Sequence, residues 1–592
     1  MITRRATVDR DGGRCHRLIV LRRALSAAWC LGLVFAAALA QPPGARAESR
    51  PAWAAIATAH PLATRAGREI LDRGGNAFDA AVAITAALAV VEPFSSGLGG
   101  GGFWLLHIAR ENRQVMIDGR ETAPAAASRD MFLDADGRVQ EGASLNGPLS
   151  AAIPGIPAGL VHISTRYGRL SLGENLAAAI RYAREGFPVT PHYLKLAGMR
   201  LEVLNQSPAA AAVFLQEGRV PPAGHLIVQE DLARTLEKIA ELRTAGFYTG
   251  EIARQLVDGV RNHGGIWSLQ DLMDYRIVER EPVVVQYRGV RVISAPPPSS
   301  GGVVLGQALN ILEHFDLERL DDMTRKHVII EAMRRAYRDR AAYLGDADFV
   351  DVEVDRLLDK DYAEGLAAGI ELDRATPSEE LGGFPELVQA GMDTTHFSVL
   401  DTEGNRVSAT LSINLPFGSG FMPPGTGVLL NDEMDDFAIR PQTPNIYGLV
   451  GDEANRIEPR KRPLSSMTPT FLETAESVAI LGTPGGSRII SMVLLAALDF
   501  AEGNLPNSWV TLPRYHHQYL PDEVQFERGA LTAIEQAGLK RLGHVLNEKD
   551  RQYGNMQAVL WYRPRNIVFA ASDPRGEGEA AVIVKKLRQD SG

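Results

Sequence analysis

The residues Asp393-Thr394-Thr395-His396-Phe397-Ser398 carry the first chemical signal. A threonine hydroxyl inside a chain is a poor nucleophile, because nothing beside it reliably takes its proton. Cutting the peptide bond before Thr394 gives the same residue a free α-amine with an ordinary pKa of about 7.7–8.0. Nucleophile and base then sit on one residue, the pairing of threonine with an N-terminal amine. The competing reading is that Thr394 and Thr395 merely open a β-strand, which threonine favours.

Further clusters follow within about a hundred residues. Ser412-Ile413-Asn414 ends a predicted strand beside the one that begins at Thr394, so a hydroxyl and an amide there can reach Thr394 or a substrate. Asn431-Asp432-Glu433-Met434-Asp435-Asp436-Phe437 crowds four acidic side chains into five residues. Glu433 and Asp436, three apart, face the same way if the segment turns, and two such carboxylates make a cation site. Ser465 and Ser466, between Pro463 and Pro469, offer paired hydroxyls and amides for a carboxylate. Thr483-Pro484-Gly485-Gly486-Ser487-Arg488 joins a predicted strand to an apolar helix, a junction whose N–H groups form an oxyanion site. Together these make a pocket for a molecule bearing an ammonium and a carboxylate beside a scissile acyl bond. An α-amino acid with an acylated side chain is the simplest such molecule.

Two other motifs are set aside. Gly97-Leu98-Gly99-Gly100-Gly101-Gly102 matches the dinucleotide pattern G-x-G-x-x-G, but a helix precedes it and a strand, Phe103 to His107, follows. It reads as a loop where backbones pass closely. His516-His517 has no third ligand at metal spacing and reads as structural, so no metal or cofactor is assigned.

The elements that must position these residues change character at Thr394. Before it the pattern is largely helical: a helix from Thr64 through Leu71, an all-round apolar helix from Phe78 to Val91, and helical spacing from Ile153 to about His263. A strand pair spans Pro282 to Ser294, and helices span Val303 to His314 and Thr324 to Leu344. Pro377 to Gly391 is polar and aperiodic, the kind of segment in which a chain is cut. After Thr394 come a hairpin turning at Thr402-Glu403-Gly404-Asn405, strands over Thr468–Leu472 and Val478–Gly482, a helix over Ser487–Phe500, and a late strand pair over Ala558–Tyr562 and Ile567–Ala571. Sheets covered by helices give one large α/β unit.

The chain has 592 residues, 45% hydrophobic and 23% charged, with 62 basic against 72 acidic residues. This is a globular composition, and no basic block beyond the first fifty residues speaks for nucleic acid. Those fifty read as an export signal: Arg4 to Arg23 form a basic region, Ala24 to Ala40 an apolar run, and Ala38-Leu39-Ala40 or Ala45-Arg46-Ala47 a cleavage site. An uncleaved anchor is the alternative. Both cysteines, Cys15 and Cys30, fall in this stretch, so the exported chain carries no thiol.

In order and wording, Thr394-Thr395-His396-Phe397-Ser398, Asn431 to Phe437, Pro463-Leu464-Ser465-Ser466-Met467 and Pro484-Gly485-Gly486-Ser487-Arg488 resemble the γ-glutamyltransferase (γ-glutamyltranspeptidase) family. So do Gly74-Gly75-Asn76-Ala77, Arg120-Glu121 with Ala123-Pro124, Tyr343-Leu344-Gly345-Asp346, Arg514 to Gln518 and Ala571 to Arg575. The resemblance implies an N-terminal-nucleophile hydrolase with a four-layer αββα sandwich of the α/β (α+β) class. It implies an export signal over residues 1–47, and a precursor cut at Asp393–Thr394 into a large subunit, 48–393, and a small one, 394–592, held together as a heterodimer. Thr394 is then the nucleophile, supported by Ser412, a position where the family often has threonine. Gly485 and Gly486 form the oxyanion hole. Arg120, Ser465 and Ser466 bind the α-carboxylate of a γ-glutamyl group, and Asn414, Glu433 and Asp436 its ammonium. Tyr447, in Pro444-Asn445-Ile446-Tyr447-Gly448, gates a lid loop. Glutathione and other γ-glutamyl compounds are the implied donors, water, amino acids or dipeptides the acceptors, and the periplasm or exterior the place. The alternatives are a cephalosporin or glutaryl acylase of the same fold and a non-catalytic exported amino-acid or peptide-binding protein.

Overall fold

The computed structural model describes residues 50–382, 394–441 and 443–584. The export signal, Asp393 and most of the polar segment ahead of it lie outside the described residues.

Thirteen strands build two large sheets. Before Thr394 these are β1 (Ala54–Thr58), β2 (Gly101–Ile108), β3 (Arg113–Gly119), β4 (Val278–Arg280), β5 (Val283–Tyr287) and β6 (Val290–Ser294). After it come β7 (Thr395–Leu400), β8 (Arg406–Ser412), β9 (Thr470–Glu473), β10 (Ser477–Gly482), β11 (Gln557–Tyr562), β12 (Ile567–Ser572) and β13 (Glu579–Ile583). The first sheet runs β13-β1-β7-β8-β2-β3-β4 and the second β12-β11-β10-β9-β6-β5, every neighbour antiparallel.

Alternation along β7 shows how the layers stack. Phe397 and Val399 join the core under the helices of the first sheet, while Leu400 joins the core shared with the second. His396, on that inner face, is fully buried, and a Cβ on Gly482 of β10 would meet its ring at 2.3 Å. Ser398 Oγ and Ser408 Oγ donate across the gap to the carbonyls of Gln557 and Leu481 at 3.0 and 2.9 Å. The two sheets therefore lie face to face, with polar pins among the apolar contacts.

Helices close the outer faces. α1 (Pro61–Asp72) and α2 (Ala77–Val91) cover the first sheet, and α3 (Gly301–Leu312), α4 (Asp322–Tyr343) and α5 (Ile489–Ala501) lie on the side of the second. The result is the αββα sandwich expected above. α2 is apolar all round because every one of its residues is buried. Asn76 and Asp79 form a reciprocal capping box at its start. α1 begins at Pro61, earlier than its apolar spacing indicates, because Pro61 occupies the first turn and the His60 ring accepts the Leu62 N–H. No described helix is long and apolar enough to cross a membrane.

The glycine run is a crossing of backbones, as its context indicated. A Cβ on Gly99 would stand 2.1 Å from the Leu429 carbonyl oxygen, and one on Gly100 2.1 Å from that of Ser412. Only glycine lets these chains pass, and the passage draws the Ser412 and Asn431 segments together.

Candidate active site

Strand register brings the first two site residues together. Leu411 pairs with Thr395, so Ser412 at the end of β8 stands opposite Thr394. Both are buried, and the Thr394 hydroxyl donates to Ser412 Oγ over 3.5 Å. Ser412 Oγ also accepts the Asn414 N–H at 2.8 Å, which fixes its direction. Asn414 takes a left-handed backbone (φ 75°), and its amide donates to the Asp432 carbonyl at 3.0 Å.

The acidic segment does turn. Glu433–Asp436 forms a 3-10 turn with Glu433 and Asp436 on the same side. Asn431 holds its start: its Oδ1 accepts the N–H groups of Ala152 and Glu433, both at 3.0 Å, while its amide donates to the Gly99 and Ala152 carbonyls. The cation between the two carboxylates is Arg120. Its Nη1 lies 2.6 Å from Glu433 Oε2, its Nη2 2.5 Å from Asp436 Oδ2, and its Nε donates to the Pro463 carbonyl at 3.1 Å. Glu121 stands 3.4 Å from the same Nη1. Sequence reasoning assigned Arg120 and the two carboxylates to opposite ends of a ligand; the structure pairs them with one another. Burial works against the guanidinium charge, but Glu433, Glu121 and Asp436 hold its pKa above the ordinary range. Burial also pushes the Glu433 and Glu121 carboxyls up, against the pull of Arg120.

The paired serines are set by backbone contacts with the proline loop Ala295–Ser300. The Ser465 N–H donates to the Pro298 carbonyl at 2.8 Å, and the Ser465 carbonyl accepts both the N–H and Oγ of Ser300. The Ser466 hydroxyl accepts from Arg340 Nη2 at 3.2 Å.

Gly485 and Gly486 follow β10, with φ of 142° and 57°, and lead through a 3-10 turn into α5. Both values lie in the region that favours glycine. A Cβ on Gly486 would meet the Tyr447 ring at 2.4 Å. Tyr447 closes the pocket: it is 4% exposed, and its hydroxyl donates to the Asn414 carbonyl at 2.9 Å. Its carbonyl accepts from Gln518 Nε2 at 3.1 Å, and Gln518 Oε1 accepts from Ser487 Oγ at 2.7 Å. Gln518 thus ties Tyr447 to the turn that carries Gly486.

Arg120, Thr394, Ser412, Asn414, Glu433, Asp436, Tyr447, Ser465, Ser466 and Gly486 line one cavity of about 20 Å³. Space of that size holds about one water. Among the described residues Gly485 is the one expected site residue outside the lining; its neighbour Gly486 carries the turn to the cavity wall. Leu449, Met467, Ser487 and Ile489 complete the wall. Met467 and Ser487 were part of sequence motifs without an assigned task, and Leu449 and Ile489 had no signal of their own in the sequence. Glu121 was visible only as the neighbour of Arg120, and Gln518 only as part of a motif without an assigned task. His516 and His517 are structural here: both are buried, the first bonded to Ser491 and Gln518, the second to Asp522 and the Tyr519 N–H.

Residues 63–583 match the Gamma-glutamyltranspeptidase family. The chain belongs to the γ-glutamyltranspeptidase family. It is 41% identical to a glutathione hydrolase proenzyme of Pseudomonas sp. (strain A14), covering 88% of this chain and 92% of that one. It is 40% identical to the glutathione hydrolase proenzyme of Escherichia coli (strain K12), covering 94% and 97%. Among solved structures it resembles a cephalosporin acylase from Bacillus halodurans with a TM-score of 0.79 at 30% identity, covering 91% of this chain and 98% of that one. The Thr394 strand, the acidic turn, the paired serines and the glycine turn are gathered around one cavity.

Proposed function

We propose that this chain cuts itself between Asp393 and Thr394 and that the freed Thr394 then transfers γ-glutamyl groups. The activity is that of a γ-glutamyltransferase and glutathione hydrolase with a proenzyme stage. The Thr394 oxygen attacks the γ-carbonyl carbon of the donor while its proton passes to the α-amine. Negative charge on the carbonyl oxygen is met by N–H groups of the Gly485-Gly486 turn, and Ser412 steadies the Thr394 oxygen. The C–N bond breaks, the leaving amine takes the proton, and a γ-glutamyl ester remains on Thr394. Water or the amine of an amino acid or dipeptide then attacks the ester and releases Thr394.

In this reading the donor's α-carboxylate lies between Arg120, Ser465 and Ser466. Its ammonium meets Asn414, Glu433 and Asp436. Residues 48–393 and 394–592 form the two subunits, and the preceding segment exports the chain to the periplasm. The observation that carries the reading is the convergence of a buried threonine, a glycine turn and side chains of both charges on one cavity. It favours an amino-acid acyl group over the uncharged or singly charged acyl groups of an acylase.

Gel electrophoresis tests it. Purified wild-type protein should run as two pieces, the smaller of about 200 residues beginning Thr-Thr-His-Phe. Thr394→Ala should run as one piece and leave a chromogenic γ-glutamyl anilide intact. Turnover by that variant removes Thr394 from the mechanism.

A further inference from the structure

The carboxylate end of this pocket has a charge problem. Arg120 is already matched by Glu433 and Asp436, with Glu121 beside it, so its charge is largely spent on the protein. Hydroxyls and amides at Ser465 and Ser466 can orient an anion, but they carry no net charge to offset the cost of burying one.

Behind them stands Arg340, on the last turn of α4. It is 4% exposed. Its Nε donates to Ser300 Oγ at 3.0 Å and its Nη2 to Ser466 Oγ at 3.2 Å. Among the described residues no carboxylate lies within 4.0 Å of its guanidinium, and its Nη1 has no hydrogen-bond partner. Other buried arginines of this chain are matched: Arg335 by Glu331, Arg406 by Glu473, Arg514 by Asp573. Arg488, which also lacks a carboxylate, has the Gln525 amide oxygen and the face of the Tyr553 ring instead. Burying a cation with only neutral partners is expensive, and such a charge is kept where something else compensates it. Burial pulls the Arg340 pKa down to about 10, still charged at neutral pH, with Tyr337 and Asp436 drawing it up and Arg120 pressing it down.

We infer that Arg340 supplies the positive charge of the carboxylate subsite, acting through Ser466 as a positioning residue, and that the donor's α-carboxylate is its missing counterion. Its fork holds both serine loops, Ser300 on one and Ser466 on the other, so that the Ser466 hydroxyl, committed as an acceptor to Nη2, keeps its hydrogen for the carboxylate. The inference rests on the γ-glutamyl reading above and names the group that makes its anion end attractive.

The test compares two donors, γ-glutamyl-p-nitroanilide and the same anilide with its α-carboxylate converted to the carboxamide. The readout is the ratio of their kcat/KM values. In Arg340→Gln that ratio should fall roughly 10- to 100-fold, through KM for the carboxylate donor, while the carboxamide donor changes little. In Arg340→Lys, which keeps the charge but not the fork, it should fall less. Separation into two chains reports that each variant has folded. If Arg340→Gln does not mature, Arg340→Lys carries the test alone. An unchanged ratio, or an equal loss on both donors, overturns the inference. Failure of the wild type to turn over γ-glutamyl-p-nitroanilide at all would instead sink the parent reading.

Discussion

The hydroxyls of Thr394 and Ser412 face one another across the end of a strand pair, 3.5 Å apart, with the Asn414 N–H fixed on Ser412 at 2.8 Å. This places one hydroxyl as a directed partner for the other, whose proton leaves during attack on the mechanism proposed above. Ser412→Ala should lower kcat by roughly 100-fold, the low end of what losing a positioned proton-handling group costs. Ser412→Thr should restore most of it. Stopped-time assays with a γ-glutamyl anilide read both, and full activity in Ser412→Ala would dismiss the contact.

Arg120 sits between Glu433 and Asp436 with almost no exposure. Arg120→Gln leaves buried Glu433 facing part-buried Asp436, and breaking a buried pair costs about 3–5 kcal/mol. Urea unfolding of the Thr394→Ala background, which should remain one chain, would measure this. A loss under about 1 kcal/mol would mean that the carboxylates simply take up protons.

The Tyr447 ring fills the space that a side chain at Gly486 would need. Gly486→Ala combines that collision with a backbone at φ 57°. It should displace the lid and reduce kcat/KM by more than tenfold. Tyr447→Phe, which loses only the bond to the Asn414 carbonyl, should cost about 0.5–1.5 kcal/mol in transition-state binding. Equal effects from the two changes would separate lid closure from catalysis.

Glu92, buried at the end of α2, accepts the Thr395 hydroxyl at 2.7 Å, one residue from Thr394. Burial, with Glu577 adding to it against the Thr395 bond, raises its pKa from 4.5 to about 7. A carboxyl whose folded pKa exceeds its unfolded value binds its proton more tightly when folded. Its contribution to stability is therefore complete below about pH 4.5 and is lost as pH rises through 7. Glu92→Gln keeps the acceptor and removes the titration, so it should flatten the stability profile over that interval by about 3 kcal/mol. Thermal melts from pH 4 to 8 check it; parallel wild-type and variant profiles would refute it.

Much of the site was legible in the chain itself. The threonine that needs an amine, the glycine turn at a strand-to-helix junction and the spacing of Glu433 and Asp436 are local facts, because nucleophile chemistry, backbone freedom and turn geometry act over a few residues. The same holds for α2, whose unbroken apolar run admits only burial. Arg340 was not legible: from sequence it is one basic residue among several on a long helix. That no carboxylate among the described residues lies within 4.0 Å of it depends on which loops of distant chain segments arrive beside it.

The sequence by itself determined which residues could react and which elements would carry them, since strand and helix periods are written residue by residue. Only the tertiary structure decided which charges meet. Arg120 and Glu433 are 313 positions apart, and Arg340 and Ser466 126. Coulomb interactions and desolvation depend on distance through space and on what excludes water, and neither is fixed until the two sheets close on each other.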